Sequence, residues 1–129
     1  MINQIHVGLP VADLKKATAF YKKLGFTQDM NFSGDIMSQF EVTDVIQLSI
    51  FEQKNFMQHI TNPSVDKSKF GLVSSALSVS SKEDVDELVQ KALASGASRF
   101  MDMSDNDFMY MDGFTDLDGH MWSVYYMKM

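Results

Sequence analysis

The chain has no cysteine among its 129 residues, and that absence removes disulfide frameworks, thiolate metal sites and thiol nucleophiles together. It is also short of positive charge: 11 Lys and Arg stand against 17 Asp and Glu, a formal net charge of −6. Nonspecific affinity for nucleic acid comes from clustered cations, so this balance argues against a surface that tracks a phosphate backbone. No apolar run approaches the roughly 20 residues that a membrane-spanning helix needs. The N-terminus carries no basic-then-apolar signal region. No glycine pattern cradles phosphate, and no serine has the flanking glycines of a nucleophile elbow. What is present is an ordinary globular composition, 45% hydrophobic and 22% charged, at a length suited to one domain. These totals imply an acidic, cytoplasmic, single-domain protein that binds neither nucleic acid nor membrane.

Strand and helix patterns alternate along the chain. Over residues 4–11, Ile5, Val7, Leu9 and Val11 alternate with Gln4, His6, Gly8 and Pro10, which predicts a strand with one buried face. Asp13 is placed to cap a helix whose apolar stripe is Leu14, Ala17, Tyr21 and Leu24, and Gly25 supplies its stop. Strands are expected over 26–32, 36–42 and 45–51, separated by Ser33-Gly34-Asp35 and Thr43-Asp44 turns. The second half repeats the plan. A strand over 72–79 leads to a helix capped by Ser81, striped with Val85, Leu88, Val89 and Ala92, and ended by Gly96. Strands over 98–103, 108–114 and 120–127 complete it. Between the halves, a polar stretch over about 52–69 has room for a short helix at 53–60.

The order is therefore β-α-β-β-β twice, an α+β pattern. One helix cannot cover both faces of a four-stranded sheet, so each unit leaves a face for another unit, another chain or a ligand.

The residues His6-Val7-Gly8-Leu9-Pro10-Val11-Ala12-Asp13-Leu14, then Phe20-Tyr21 and Leu24-Gly25-Phe26, resemble the first module of the vicinal oxygen chelate superfamily. Glyoxalase I, extradiol dioxygenases and the bleomycin and fosfomycin resistance proteins belong to that superfamily. The ending Phe108-Met109-Tyr110, then Asp116-Leu117-Asp118-Gly119-His120-Met121-Trp122, is similar to its subgroup of predicted lactoylglutathione lyases. The resemblance implies two βαβββ modules (about 1–52 and 70–129, with a linker over about 53–69) pairing into a curled mixed sheet around a cleft, helices on the outer face. It also implies metal-ligand positions on the first and last strand of each module, which fall here on His6, Gln47, Ser74 and Ser123. Period two independently puts all four on the polar side of their strands.

Imidazole and carboxylate are strong donors to first-row divalent ions, whereas a neutral amide and two hydroxyls are weak ones. Glyoxalase chemistry also needs a carboxylate base, and Ser123 occupies the position that would supply it. The expectation is thus metal-independent binding of an apolar or aromatic small molecule, with no cofactor. A divalent metal, if one binds, would be held by His6 and Gln47. The alternative is a metal-dependent glyoxalase-like lyase or, further off, a dioxygenase, and whether the chain is an enzyme stays open. His6 is the best catalytic candidate, against a bland reading in which backbone carbonyls or Gln47 satisfy it. His120 reads as a hairpin flank and His59 as solvated linker. The aspartates 102, 105, 107 and 112 lack the calcium-loop glycine and glutamate and read as surface. Methionines and aromatics crowd the last third, and Met121, Tyr125 and Tyr110 are expected to add ligand contacts to the polar four. The uncovered sheet faces, and the habit of such modules, further imply a homodimer.

Overall fold

The computed structural model describes residues 1–58, 73–99 and 101–128. His59, Leu72, Met129 and the end of the expected 53–60 helix lie outside the described residues. The chain divides into two compact units, residues 1–68 and 69–129.

The first unit runs β1 (Ile5–Val11), α1 (Leu14–Lys23), β2 (Thr27–Asp29), a 3-10 turn (Met30–Phe32), β3 (Met37–Glu41), β4 (Ile46–Glu52) and a short helix α2 (Gln53–Gln58). Its four strands form one mixed sheet in the order β1-β4-β3-β2, with β1 parallel to β4 and the other pairs antiparallel. The second unit repeats this with β5 (Ser74–Ser78), α3 (Lys82–Ala94), β6 (Ser104–Asp105), β7 (Met109–Thr115) and β8 (Met121–Met127). Its sheet order is β5-β8-β7-β6, again with first and last strand parallel. The fold is α+β, two βαβββ modules with open sheets.

Local chemistry explains the helices. The Asp13 carboxylate accepts from the Lys16 N–H at 3.0 Å, and the Ser81 hydroxyl accepts from the Asp84 N–H at 3.0 Å. Both main helices end alike. At α1 the Phe26 N–H donates to the Tyr21 carbonyl and the Gly25 N–H to that of Lys22. At α3 the Ala97 and Gly96 N–H groups do the same to Ala92 and Leu93. This closure needs a left-handed residue, and Gly25 (φ 101°) and Gly96 (φ 104°) supply it.

Each helix packs on one face of its own unit's sheet. In the first unit Ala17, Phe20, Tyr21, Phe40, Leu48 and Ile50 are all at most 2% exposed. Tyr21 sits edge-on to Phe20 and stacks on Phe26, ring centres 5.1 and 5.8 Å away. In the second unit Val85, Val89 and Ala92 bury against the side of the sheet that carries Phe114, Trp122 and Val124.

Two expected strands changed shape. The 26–32 strand stops at Asp29, whose carboxylate accepts from the Asn31 N–H and turns the chain into the 3-10 turn. Among the described residues, the 98–103 strand is a single bridge, Ser98 to Thr115, followed by β6 at Ser104–Asp105. Five residues separate Ser98 from Ser104, while three separate Thr115 from its neighbour Met111, so the register shifts by two residues between the bridge and β6.

Candidate functional site

Parallel pairing of first and last strands puts the candidate residues side by side. His6 on β1 is the register partner of Gln47 on β4, and Gln47 is in turn opposite Glu41 on β3. Thr27 on β2 is opposite Glu41, and directly paired residues share a face, so one row of four polar side chains crosses the sheet. The next row on that face is Gly8, Ser49, Gln39 and Asp29. The opposite face carries Leu48, Ile50 and Phe40 toward α1. The row borders a concavity of about 570 Å³ that Asp44 from the β3–β4 turn also lines.

His6 is fixed by a residue that sequence reasoning did not single out. The Gln4 side-chain N–H donates to the Asp44 carbonyl at 3.1 Å, which leaves its Oε1, 3.3 Å from His6 Nε2, as an acceptor. With Nε2 protonated, the ring donates to that oxygen. Gln47 is 7% exposed and its amide N–H donates to the Thr43 carbonyl rather than to His6. Glu41 was also missed. Its signal was available: counting back across the Thr43-Asp44 turn places it opposite Gln47.

In the second unit, register puts Ser74 beside Met121, Ser123 beside Ala76 and Gly113, and Tyr125 beside Met111. Ser74 Oγ and Ser123 Oγ lie 3.4 Å apart. Met109, Met111, Met121 and Met127 share this face with Tyr125, so it is a thioether and aromatic wall bearing two adjacent hydroxyls. Tyr110, expected among these contacts, is on the other side. Its hydroxyl donates to the Asp86 carboxylate of α3 at 2.5 Å, and the Lys82 ammonium lies 5.5 Å from its ring centre. The bond to Asp86, with burial second, pushes the Tyr110 phenol up to about 12.

The expectation that Asp112 is surface is likewise corrected. It is 4% exposed and accepts from the Arg99 guanidinium at 2.5 Å and the Gly113 N–H at 2.8 Å. Asp105 does face solvent. A hydrogen bond from Lys128 holds it below the usual carboxylate range, with Lys82 contributing at 3.4 Å. His120 is buried at the β7–β8 turn, where its backbone N–H donates to Asp116. Among the described residues, no group of three or more His, Asp or Glu side chains is placed to hold a metal ion. Nor is any helix there long and apolar enough to cross a membrane.

These features define a class: proteins of two βαβββ modules, each pairing its first and last strands and leaving one sheet face free of its helix. A family model, the Glyoxalase/Bleomycin resistance protein/Dioxygenase superfamily, matches residues 3–124, and the chain belongs to that superfamily. Among solved structures, hypothetical protein SA1046 from S. aureus is 28% identical with a TM-score of 0.79, covering 98% of this chain and 94% of its own. A glyoxalase-related enzyme from Fulvimarina pelagi is 18% identical with a TM-score of 0.81, over 95% and 87% of the two chains. A lactoylglutathione lyase from Agrobacterium tumefaciens is 19% identical with a TM-score of 0.69, over 95% and 91%. The last two show the fold alone. No curated protein matches the chain.

Proposed function

We propose that the chain is a small-molecule-binding member of its superfamily that takes an apolar or aromatic ligand without a catalytic metal. The observation that carries this reading is the donor set at the inherited ligand positions. His6 stands beside the neutral amide of Gln47 in register, and its Nε2 lies 3.3 Å from Gln4 Oε1. The matching positions of the second module are two hydroxyls. Such a set fits a divalent ion poorly and fits hydrogen bonding to a neutral oxygen or nitrogen well. The wall formed by Met121, Ser123 and Tyr125 with Ser74 has the mixture that small organic molecules favour, apolar area with a few placed hydroxyls. A cytoplasmic location and a homodimer belong to the same proposal. Exposed Met30, Phe32 and Phe108 are the apolar side chains a second copy would cover, and a monomer by light scattering at micromolar concentration overturns that part.

One observation favours a second reading, a glyoxalase-like lyase. Glu41 lies in the His6–Gln47 row and supplies a carboxylate that the inherited positions lack. Native mass spectrometry and calorimetry with nickel, zinc and manganese decide between the two. The binding reading expects no ion retained and no hemithioacetal turnover. One ion held tightly per chain and lost in His6→Ala overturns it.

A further inference from the structure

We infer that the outer end of the helix-free face of the second sheet is a site for a soft monovalent cation, Cu(I) or Ag(I), held by the thioether sulfurs of Met109, Met111 and Met127. Backbone pairing brings these three side chains together. The Lys128 N–H donates to the Phe108 carbonyl at 2.9 Å, which makes these two a hydrogen-bonded pair at the end of the β7–β8 ladder. Such pairs alternate with non-bonded ones in an antiparallel ladder, so Met109–Met127 and Met111–Tyr125 are pairs whose side chains stand closest. Directly opposed Cβ atoms lie about 4.5–5.5 Å apart, and the diagonal from Met111 to Met127 spans about 7–8 Å. A methionine side chain is unbranched and freely rotating, which lets three sulfurs close on one ion from that spacing.

The chemistry of that face selects the ion. All four methionines of β7 and β8 project from it, while the side that carries α3 receives Tyr110, Phe114, Trp122 and Val124 from the same strands. Apolar lining alone is served as well by the β-branched and aromatic residues that strands favour, whereas clustered thioether sulfur is a donor set for Cu(I). Among the described strand residues no Asp, Glu, His, Lys or Arg shares the face, whose other members are small, hydroxyl-bearing or aromatic. Zinc, nickel and manganese therefore meet no imidazole or carboxylate there, and no fixed cation repels a soft one.

The three side chains are also reachable, since Met127 is 43% exposed and Met109 and Met111 are half-buried. Tyr125, directly opposite Met111, adds a ring that attracts a cation on its face and packs well against sulfur. Ser123 precedes Met127 by four positions on β8, about 13 Å at the usual strand rise. The site thus lies apart from the Ser74–Ser123 hydroxyl pair and does not depend on the small-molecule reading. With no cysteine in the chain, no thiolate competes for the ion.

Silver nitrate in chloride-free buffer and Cu(I) under nitrogen, each titrated into the full chain, test the inference. Native mass spectrometry reads retention, and the methionine methyl resonances read where the ion sits. The expected result is one ion retained per chain, with the methyls of Met109, Met111 and Met127 shifting while those of exposed Met30 and Met103 stay in place. Met109→Leu with Met127→Leu conserves side-chain volume and keeps the fold. It should weaken retention by at least about tenfold, since even the outer partners of metal ligands are worth that much. Met30→Leu with Met103→Leu should leave retention unchanged. Thioethers have no proton to lose, so retention should be equal at about pH 5.5 and about pH 7.5, whereas an imidazole site weakens on acidification. Retention that falls with acid, or that the Met109→Leu, Met127→Leu chain keeps at full strength, places the ion elsewhere and overturns the inference. A chain that retains neither ion, or methionine methyls that all move alike, overturns it too.

Discussion

Removing the Tyr110 hydroxyl should destabilise the second unit without touching either helix-free face. The phenol rises from 10.0 to about 12 on folding because its hydroxyl is held by Asp86 and its ring is buried. At about 1.36 kcal/mol per unit, that shift sets a ceiling of about 2.7 kcal/mol on the linked stability. Asp86 is exposed and regains water when its partner is lost, so Tyr110→Phe should cost about 1–2 kcal/mol. With a urea m-value of roughly 2 kcal/mol/M, the midpoint should fall by about 0.5–1 M. The sign with pH follows from a folded pKa above the unfolded one. The contribution is complete below about pH 10 and is lost between about pH 10 and 12, as the unfolded phenol ionises first. Urea melts near pH 8 and pH 11 should therefore show the gap between wild type and Tyr110→Phe closing. Ultraviolet titration at the phenolate band should show a late component that Tyr110→Phe removes and Asp86→Asn returns toward the ordinary value. Equal midpoints for both proteins near pH 8, or a titration curve that Tyr110→Phe leaves unchanged at high pH, refute the reasoning.

The two helix-ending glycines form a matched pair. Gly25→Ala meets no atom within 4 Å and should cost only the left-handed backbone penalty of about 1–2 kcal/mol, whereas Gly96→Ala adds a Cβ 3.0 Å from the Leu117 side chain and should cost more. Calorimetric unfolding checks the order, and a neutral Gly25→Ala would falsify the cap assignment. Arg99→Ala strips the cationic partner from a carboxylate whose side chain is 5% exposed, so it should cost about 2–3 kcal/mol. Asp112→Asn in the same background should recover part of that, and a double-mutant cycle in urea reads the coupling.

Much of this architecture is legible in single residues. Period two assigned His6 and Gln47 to one face, and Asp13, Gly25, Ser81 and Gly96 marked four helix ends from their own side-chain and backbone chemistry. Tyr110 was not legible, because Met109-Tyr110-Met111-Asp112 offers a plausible apolar row on either face. The phase is decided by Asp86, which lies 24 residues earlier. Asp112 looked like one more acid in a polar loop, since its burial depends on Arg99 crossing to it from the bridge before β6. The 98–103 strand failed for a reason invisible to periodicity: the register either side of it differs by two residues. Glu41 was recoverable, but only by pairing strands across a turn instead of reading each strand alone.

The parallel pairing of first and last strands also has a kinetic consequence. Gln47 follows His6 by 41 positions, and Ser74 and Ser123 are 49 apart, so each pair forms only by closing almost an entire module. Loop closure on that scale is among the slower steps available to a small domain. A nascent first module holds its helix and its β3–β4 hairpin long before β1 docks, and its polar row is assembled in that last event. Binding competence should thus lag helix formation in refolding, and a chain cut before β4 lacks Gln47 and Ser49, the members that join β1 to the rest of each row.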